Sequence, residues 1–417
     1  MTRIPSCCAF AFLIFASLCA GASQPSPSKN RASIVIEPKV ASLVKNGVAA
    51  FKAKNYDQAL SSFTAALNMG PKKDSASVIY SLRADAYLLK GELNKALNDA
   101  NESIRLNPEL AGGYVERGTA YRRKGEHEKA MNDFHTAIRL NPQFFAGYLG
   151  RGVVYRELGD YDEAIKLYNK AIQLNPNYAP AYYDRALAYS YKHEFERAIR
   201  DSDEAIRRDP RDASAFYNRG ADYETIGNLD KALADYSAAI KLKPTDAAAY
   251  YRRAHTYERL EKFDKAISDY DQAIRINPQD AEGYATRGNA YFAKGNYKEA
   301  LSNLTKAVDL TSSNYYALSG LAWVEATCPE DSLRNGKEAL RRGLKACELT
   351  KWQEAGTLDT LAAAYAELGD FNQAIKYQLQ AKNMTRGNVF ERKEMEERLA
   401  LYNEHKPYRD ESKLTRR

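Results

Sequence analysis

The side chains that could perform chemistry in this sequence are few and scattered. His127-Glu128 and His193-Glu194 begin like the zinc-binding HExxH motif, but neither pair has the second histidine that the motif requires. The sequence has no GxSxG nucleophile elbow, no glycine-rich phosphate loop and no CxxC pair. We therefore predict a protein that is not an enzyme, has no metal site and needs no cofactor. All five histidines, which include His135, His255 and His405, are predicted to be surface or binding residues.

Cysteine is the other residue type with reactive chemistry. Cys7, Cys8 and Cys19 lie near the N-terminus, and Cys328 and Cys347 lie far downstream on either side of a long predicted loop. Two interpretations of the downstream pair stay open. They form a disulfide worth roughly 3 kcal/mol in the chain-entropy model, or they are two buried free thiols. Neither has a second cysteine or histidine at metal-ligand spacing.

The N-terminal segment has the pattern of an export signal. Arg3 precedes an uncharged apolar stretch over residues 7–18, which is short for crossing a hydrocarbon layer of about 30 Å. Residues 20–22 (Ala-Gly-Ala) are small at both positions that a signal peptidase reads, which predicts cleavage before Ser23.

This pattern predicts a signal peptide over residues 1–22 and a flexible polar linker over residues 23–38. The mature protein is then periplasmic or secreted. Two alternatives stay open, an uncleaved signal anchor and lipidation at Cys19. Lipidation is disfavoured because bulky Leu18 stands where a small residue is preferred, and it would be the route to membrane contact.

One arginine recurs at a fixed place throughout the chain, and an acid recurs with it. The arginines are Arg83, Arg117, Arg151, Arg185, Arg219, Arg253 and Arg287, and the acids are Asp99, Asp133, Asp201, Asp235 and Asp269. Leu167 and Asn303 depart from the acidic rule. Because the acid repeats with the base, the pattern predicts a structural ladder of Arg–Asp pairs, bidentate where the geometry allows. The alternative is a row of arginines that binds phosphate or another polyanion.

The elements that must position these residues repeat with a constant period. Pro108, Pro142, Pro176, Pro210, Pro244 and Pro278 lie 34 residues apart. Small residues such as Gly118 and Ala130 let two helices approach closely, and aromatic residues such as Phe134 fill the space beside them. Gly125 suits a turn with positive φ between the helices. Each period is therefore predicted to be a pair of antiparallel helices that cannot bury its apolar face alone.

This pattern of Tyr, Gly or Ala, Tyr, Gly, Ala, aromatic, Ala and Pro resembles the tetratricopeptide repeat family. The resemblance implies an all-α fold, a right-handed superhelix of about ten helix pairs with a C-terminal capping helix. Residues 39–310 are predicted to form a tandem array of about eight repeats. Residues 311–385 are predicted to form a degenerate and then a regular repeat, similar to a C-terminal module of many bacterial members of unassigned function. Residues 386–417 are predicted to form the capping helix and a polar tail.

In this family the partner usually lies along the inner faces of the first helices. The resemblance therefore implies a binding groove lined by Arg122, Arg123, Leu149, Val153, Arg156, Tyr183, Leu187, Tyr191, Tyr217, Asn218, Tyr251, Arg252, His255 and Asn289. Aromatic rings beside cationic groups suit an extended peptide. The alternative is that the tyrosines are packing residues in a chain that has 30 of them.

Some family members hold a C-terminal carboxylate with a Lys/Asn/Arg clamp. Asn218 and Arg252 match two clamp positions, whereas Ala248 stands in place of the clamp lysine. Tyr183 and Leu187 replace the first unit's lysine and asparagine. The incomplete clamp argues against recognition of chaperone tails.

These features predict a non-catalytic protein-interaction scaffold in the bacterial envelope, which binds a protein or peptide in its concave groove. The alternative function is binding of a polyanion or cell-wall glycan through arginines and tyrosines. Nucleic acid is not an expected partner, because the net charge of +7 is small for 417 residues. The oligomeric state stays open, and self-association through the ends of the array is a further alternative.

Overall fold

The computed structural model describes residues 36–385 and 389–410, with the side chains of residues 389–391 excluded. The predicted signal peptide, Cys19, the linker up to residue 35 and the tail from residue 411 lie outside the described residues. The first helix begins at Pro38, so the last residue assigned to the linker is in fact helical.

The described residues form 21 α-helices, which follow one another in pairs. In chain order they are α1 (Pro38–Lys52), α2 (Tyr56–Asn68), α3 (Lys73–Lys90), α4 (Leu93–Leu106), α5 (Ala111–Arg123), α6 (His127–Leu140), α7 (Phe145–Glu157), α8 (Tyr161–Leu174), α9 (Ala179–Tyr191), α10 (Phe195–Arg208), α11 (Ala213–Thr225), α12 (Leu229–Leu242), α13 (Ala247–Arg259), α14 (Phe263–Ile276), α15 (Ala281–Lys294), α16 (Tyr297–Leu310), α17 (Tyr315–Thr327), α18 (Gly336–Leu349), α19 (Ala355–Glu367), α20 (Phe371–Met384) and α21 (Val389–Asn403). Odd-numbered helices up to α19 are the first helices of ten pairs, and α21 is the single C-terminal helix. The predicted all-α repeat architecture is confirmed.

The residue types predicted for close helix approach have that role in the structure. A Cβ atom on Gly118 would lie 3.1 Å from the Phe134 ring, so α5 and α6 could not pack as they do with a larger residue. Gly125 lies in the turn between α5 and α6. Its φ of 80° is a left-handed value that favours glycine. Asp160 accepts a hydrogen bond from the Glu163 amide at the start of α8, which caps that helix.

The described chain divides into two compact units, one up to Asp222 and one from Tyr223. In the first unit Phe134, Phe145 and Tyr168 are fully buried in a continuous core between successive pairs. Burial of each such ring contributes about 2–3 kcal/mol relative to leaving it exposed. The core therefore runs along the stack rather than within single pairs.

In the second unit, separate buried clusters surround Tyr270, Leu304 and Leu361. The loop between α17 and α18 is long and contains a short 3₁₀ helix, Asp331–Leu333. Tyr402 of α21 is buried against α19 and α20, as expected of a capping helix.

The part of the predicted polar tail that the structure describes, up to residue 410, packs against α17. The Asp410 amide donates to the Thr327 carbonyl at 3.0 Å, and the Arg409 guanidinium donates to the Ala326 carbonyl at 3.3 Å. Arg409 also pairs with Glu367 at 2.6 Å. These polar residues close the end of α17 by satisfying helix carbonyls that lack intrahelical partners.

The predicted arginine ladder is confirmed at four steps. Nε and Nη2 of the arginine both donate to one aspartate, with distances between 2.6 and 2.8 Å, in Arg83–Asp99, Arg117–Asp133, Arg185–Asp201 and Arg253–Asp269. Each aspartate lies on the second helix of the same pair. The bidentate geometry fixes how the first helix sits against the second.

Each of these four arginines has a further hydrogen-bond acceptor that the sequence pattern did not predict. It lies on the second helix of the preceding pair. Nη1 of the same arginines donates to Thr64, Asn101, Asn169 and Ser237 respectively. Each arginine therefore joins three helices. Its guanidinium is occupied by the protein, which argues against these arginines as a polyanion site.

Candidate functional site

The first helices of successive pairs lie side by side within each unit. In the first unit α3 contacts α5, α5 contacts α7, and α7 contacts α9, and in the second unit α15 contacts α17. We call the surface of each row of first helices the first-helix face. The residues predicted for the binding groove all lie on these helices.

Four of the predicted groove residues are buried, so their assignment to an open groove surface is wrong. Arg122, Leu149, Val153 and Tyr183 have exposed fractions of 8% or less. Side-by-side packing of α5, α7 and α9 covers them, because these helices are close enough to contact each other directly.

The two buried polar residues of this group already have partners in the protein. Arg122 pairs with Glu157 at 2.5 Å, and the Tyr183 hydroxyl accepts a hydrogen bond from the Asn218 amide at 2.8 Å. Asn218, one of the two residues that match the clamp, is thus engaged within the first unit.

The other predicted residues of the first unit are partly or fully accessible, except for the Arg156 side chain, which is only 9% exposed. Arg123 donates to the Leu88 carbonyl, and Arg156 lies 3.6 Å from Asp184. Leu187 and Tyr217 are half-buried. Tyr191 is exposed and stacks on Tyr161, with ring centroids 5.3 Å apart. The accessible part of this face is therefore mixed aromatic and cationic.

The second unit brings three cationic side chains around one carboxylate. The Glu224 carboxylate at the end of α11 lies 3.1 Å from Nδ1 of His255, 3.6 Å from Arg252 and 3.8 Å from Arg259. The Tyr236 hydroxyl donates to Glu224 at 2.7 Å. We call this group the Glu224 cluster.

The charges of the Glu224 cluster shift the pKa values of its members. The hydrogen bond to Glu224 is the largest cause that raises the pKa of His255 above its ordinary value. Burial is the largest single cause and acts to raise the pKa of Glu224, but hydrogen bonds from His255 and Tyr236 together with the positive charges of Arg252 and His255 outweigh it, so this pKa is lowered. His255 is therefore more cationic near neutral pH than an unpaired histidine.

Sequence reasoning missed Glu224 and Arg259. Glu224 lies 34 residues before Glu258, at the same place in the repeat, so the period could have indicated an acidic position on this face. Glu258 accepts a hydrogen bond from the Tyr270 hydroxyl at 2.7 Å. Tyr251 donates to Asp280 at 2.7 Å and is half-buried, so it serves both packing and the surface.

Asn289 lies at the contact between α15 and α17. A Cβ atom on Gly320 would lie 2.7 Å from the Asn289 side-chain oxygen. Tyr316 of α17, which was not predicted, is 44% exposed near the same contact. This end of the face is polar and aromatic.

The two downstream cysteines are free, buried thiols, which excludes the disulfide interpretation in this structure. Cys328 packs near Leu304 and Leu321, whereas Cys347 packs near Leu358 and Met395. Cys347 lies near the far end of α18, about 16 Å along the helix from the loop that follows Cys328. A disulfide requires Cα atoms within about 7 Å of each other.

We expect Cys328 and Cys347 to resist alkylation in the native protein. Both side chains are inaccessible, and burial is the largest cause that raises the pKa of each thiol. Peptide mapping after iodoacetamide treatment should find both labelled only in denaturant, without a reducing agent. Labelling that requires reduction would show a disulfide instead.

Neither a metal site nor a membrane span is present in the part of the chain that the structure describes. Within residues 36–385 and 389–410, no three histidine, cysteine or carboxylate side chains are grouped so that they could hold a metal ion. No helix in those ranges has both the length and the apolar character needed to cross a membrane.

Comparison with protein families finds the same repeat along most of the chain. Models described as "TPR repeat" or "Tetratricopeptide repeat" match residues 44–111, 118–159, 152–192, 179–212, 223–261, 247–280, 281–314 and 355–386.

Individual relatives match only parts of the chain. "DnaJ homolog subfamily C member 7 homolog" of Dictyostelium discoideum is 32% identical over 95 residues, which are 22% of this chain and 18% of that protein. "Heat shock protein STI1" of Saccharomyces cerevisiae is 39% identical over 74 residues, 18% of this chain and 12% of that protein. Among solved structures, that of YrrB, described as "a TPR protein with an unusual peptide-binding site", covers 43% of this chain and 92% of its own at 26% identity, with a TM-score of 0.37.

Proposed function

Because this chain belongs to the tetratricopeptide repeat family, we propose that it is a non-catalytic scaffold that binds an extended segment of a partner protein. The repeat is a typical interaction scaffold, and its core is occupied by packing rather than by a catalytic constellation. The first-helix face is the proposed binding surface. We further propose that the protein works in the bacterial envelope, which rests on the export pattern of residues 1–22.

The Glu224 cluster is the observation that supports this proposal most directly. Its side chains are held by one buried carboxylate and yet remain accessible, with exposed fractions of 51% for Arg252, 58% for His255 and 42% for Arg259. Guanidinium groups that are anchored in this way lose less conformational entropy when they bind. They can donate hydrogen bonds to main-chain carbonyls or to acidic side chains of a peptide, and Tyr251 lies on the same helix.

The polyanion alternative is weaker, because the ladder arginines that it would use are paired with carboxylates. The exposed ring of Tyr191, which stacks on the half-buried Tyr161, is still suited to a sugar ring. Binding of a glycan is therefore an alternative that the Arg252→Glu variant tests.

We expect Arg252→Glu to weaken partner binding at least tenfold. It replaces an exposed hydrogen-bond donor on the first-helix face with a negative charge, which repels the Glu224 carboxylate. The measurement is crosslinked capture of partners from native envelope extract, followed by titration of the captured protein. Arg275→Glu is the matched control, since it makes the same charge change on the exposed surface of α14, a second helix.

Partners that are lost with Arg252→Glu and kept with Arg275→Glu would support binding at this face. Equal capture by both variants would contradict it. If binding to isolated cell-wall glycan, rather than to protein, responded to Arg252→Glu, the glycan alternative would replace the proposal.

A further inference from the structure

Two steps of the arginine ladder lack the aspartate, Arg151 with Leu167 and Arg287 with Asn303, and the second of them lies beside a cavity. Asn303 stands where the four regular steps have an aspartate. The Asn303 side-chain oxygen accepts a hydrogen bond from Nε of Arg287 at 2.8 Å, and its amide nitrogen donates to the Glu299 carbonyl at 2.8 Å. Nη1 of Arg287 pairs with Asp271 at 2.5 Å. Nη2 of Arg287, which donates to the second carboxylate oxygen at regular steps, has no acceptor among the described residues.

A cavity of about 470 Å³ opens at this step of the ladder. Its lining includes Arg287 and Asn303, the hydroxyl-bearing Ser302 and Thr305, and the oppositely charged Lys306 and Asp309. The two cations outnumber the one carboxylate in the lining. The volume lies in the range of pockets that take small organic molecules.

We propose that this cavity, the Arg287 cavity, binds the carboxylate group of a small organic acid. The ligand oxygen takes the place that the second aspartate oxygen has at regular steps and accepts a hydrogen bond from Nη2 of Arg287. Lys306 supplies a second positive charge, and the hydroxyls of Ser302 and Thr305 supply further donors. A carboxylate is the expected anion because at the regular steps the same Nη2 position donates to a carboxylate oxygen.

This site is independent of the proposed protein partner. Arg287 lies at the ladder position, where it faces the second helices α14 and α16 through Asp271 and Asn303. The Glu224 cluster lies on α11, α12 and α13. A test of the Arg287 cavity can therefore fail without affecting the proposal for the first-helix face.

The test is a thermal-unfolding titration of the full chain with sodium succinate as the probe, with sodium chloride at equal ionic strength as the reference. Succinate is expected to raise the Tm of the wild type in a saturable manner, because a ligand that binds the folded state stabilises it. Asn303→Asp is expected to abolish this response, since the new carboxylate occupies Nη2 of Arg287. Lys306→Gln is expected to weaken the apparent affinity severalfold.

Asn169→Asp is the matched control, because it makes the same substitution at another ladder position, where Asn169 accepts from Nη1 of Arg185. It should retain the succinate response. An equal response in the wild type and Asn303→Asp, or no saturable response in the wild type, would overturn the proposal. A response to inorganic phosphate but not to succinate would overturn the assignment to a carboxylate.

Discussion

Glu116→Gln should raise the free energy of unfolding at pH 8 by at least about 2 kcal/mol, because the wild type buries an ionisable group without a partner. Glu116 on α5 is fully buried, and neither of its carboxylate oxygens has a hydrogen-bond partner in the described structure. Asp85 on the neighbouring helix α3 is the charged group that acts on it, and this charge is also negative. Arg122 of α5 does not neutralise the pair, since it is engaged by Glu157.

The same pair makes stability depend on pH, with a direction opposite to that of ordinary paired carboxylates. Burial raises the pKa of Asp85 to about 7, and burial followed by the charge of Asp85 raises the pKa of Glu116 well above its ordinary value. Between about pH 4 and the raised values, the folded state holds protons that the unfolded state has released. The stabilisation from protonated Asp85 and Glu116 is therefore complete below about pH 4 and is lost as the pH rises through the folded pKa values.

Denaturant unfolding at a series of pH values from 4 to 8 measures both effects. The contribution of this pair should decrease with pH in the wild type, and Glu116→Gln should flatten the decrease because the amide does not ionise. Glu109→Gln is the control, since Glu109 is exposed in the loop before α5 and the same chemical change should be nearly neutral there. If Glu116→Gln destabilised the protein at pH 8, the carboxylate would have to be stabilised by a partner.

The sequence was most informative where the same residue types recur in most repeats. The prolines 34 residues apart, the small residues at the helix crossings and Gly125 at the turn are local requirements that each pair must meet separately. The Arg117–Asp133 pair could be predicted because both residue types repeat together. Its third partner, Asn101, could not be predicted easily because the corresponding residues are Thr64, Asn169 and Ser237, which share only the ability to accept a hydrogen bond.

The accessibility of the predicted groove could not be obtained from the period of one helix. The helical period placed Leu149 and Val153 on the side of α7 that faces its neighbours, but it does not report how closely α5 and α9 approach. The structure shows that these neighbours cover both residues. In contrast, Arg252 and His255 remain accessible because the buried carboxylate of Glu224 holds them at the surface.

The C-terminal module was predicted to form a cap, but its polar contacts with the end of α17 were not predicted. Arg409 and Asp410 look like a polar tail in the sequence, yet they hydrogen-bond the last carbonyls of α17. Such long-range pairing has no sequence period, since it occurs once and joins residues 83 positions apart.

At the interface between α21 and α19, Arg398→Met is expected to lower the free energy of unfolding by about 3–5 kcal/mol. Nε and Nη2 of Arg398 donate to the two carboxylate oxygens of Asp359 at 2.9 Å each, and both residues are buried. Gln378 of α20 donates to the same carboxylate at 2.7 Å. Removal of the guanidinium leaves the Asp359 carboxylate buried without its countercharge, and burial already raises the pKa of this group.

The expected readouts of Arg398→Met are a lower Tm and faster hydrogen exchange in α21, which loses its main polar attachment to α19. Arg392→Met is the matched control on the same helix, because Arg392 forms an exposed pair with Glu396 that is worth at most about 1 kcal/mol. The double variant Arg398→Met/Asp359→Leu should recover much of the lost stability, since it removes the unpaired charge while keeping an apolar contact. If the double variant were no more stable than Arg398→Met, the loss would come from the packing of Arg398 against Trp323 and Tyr408 rather than from the buried charge.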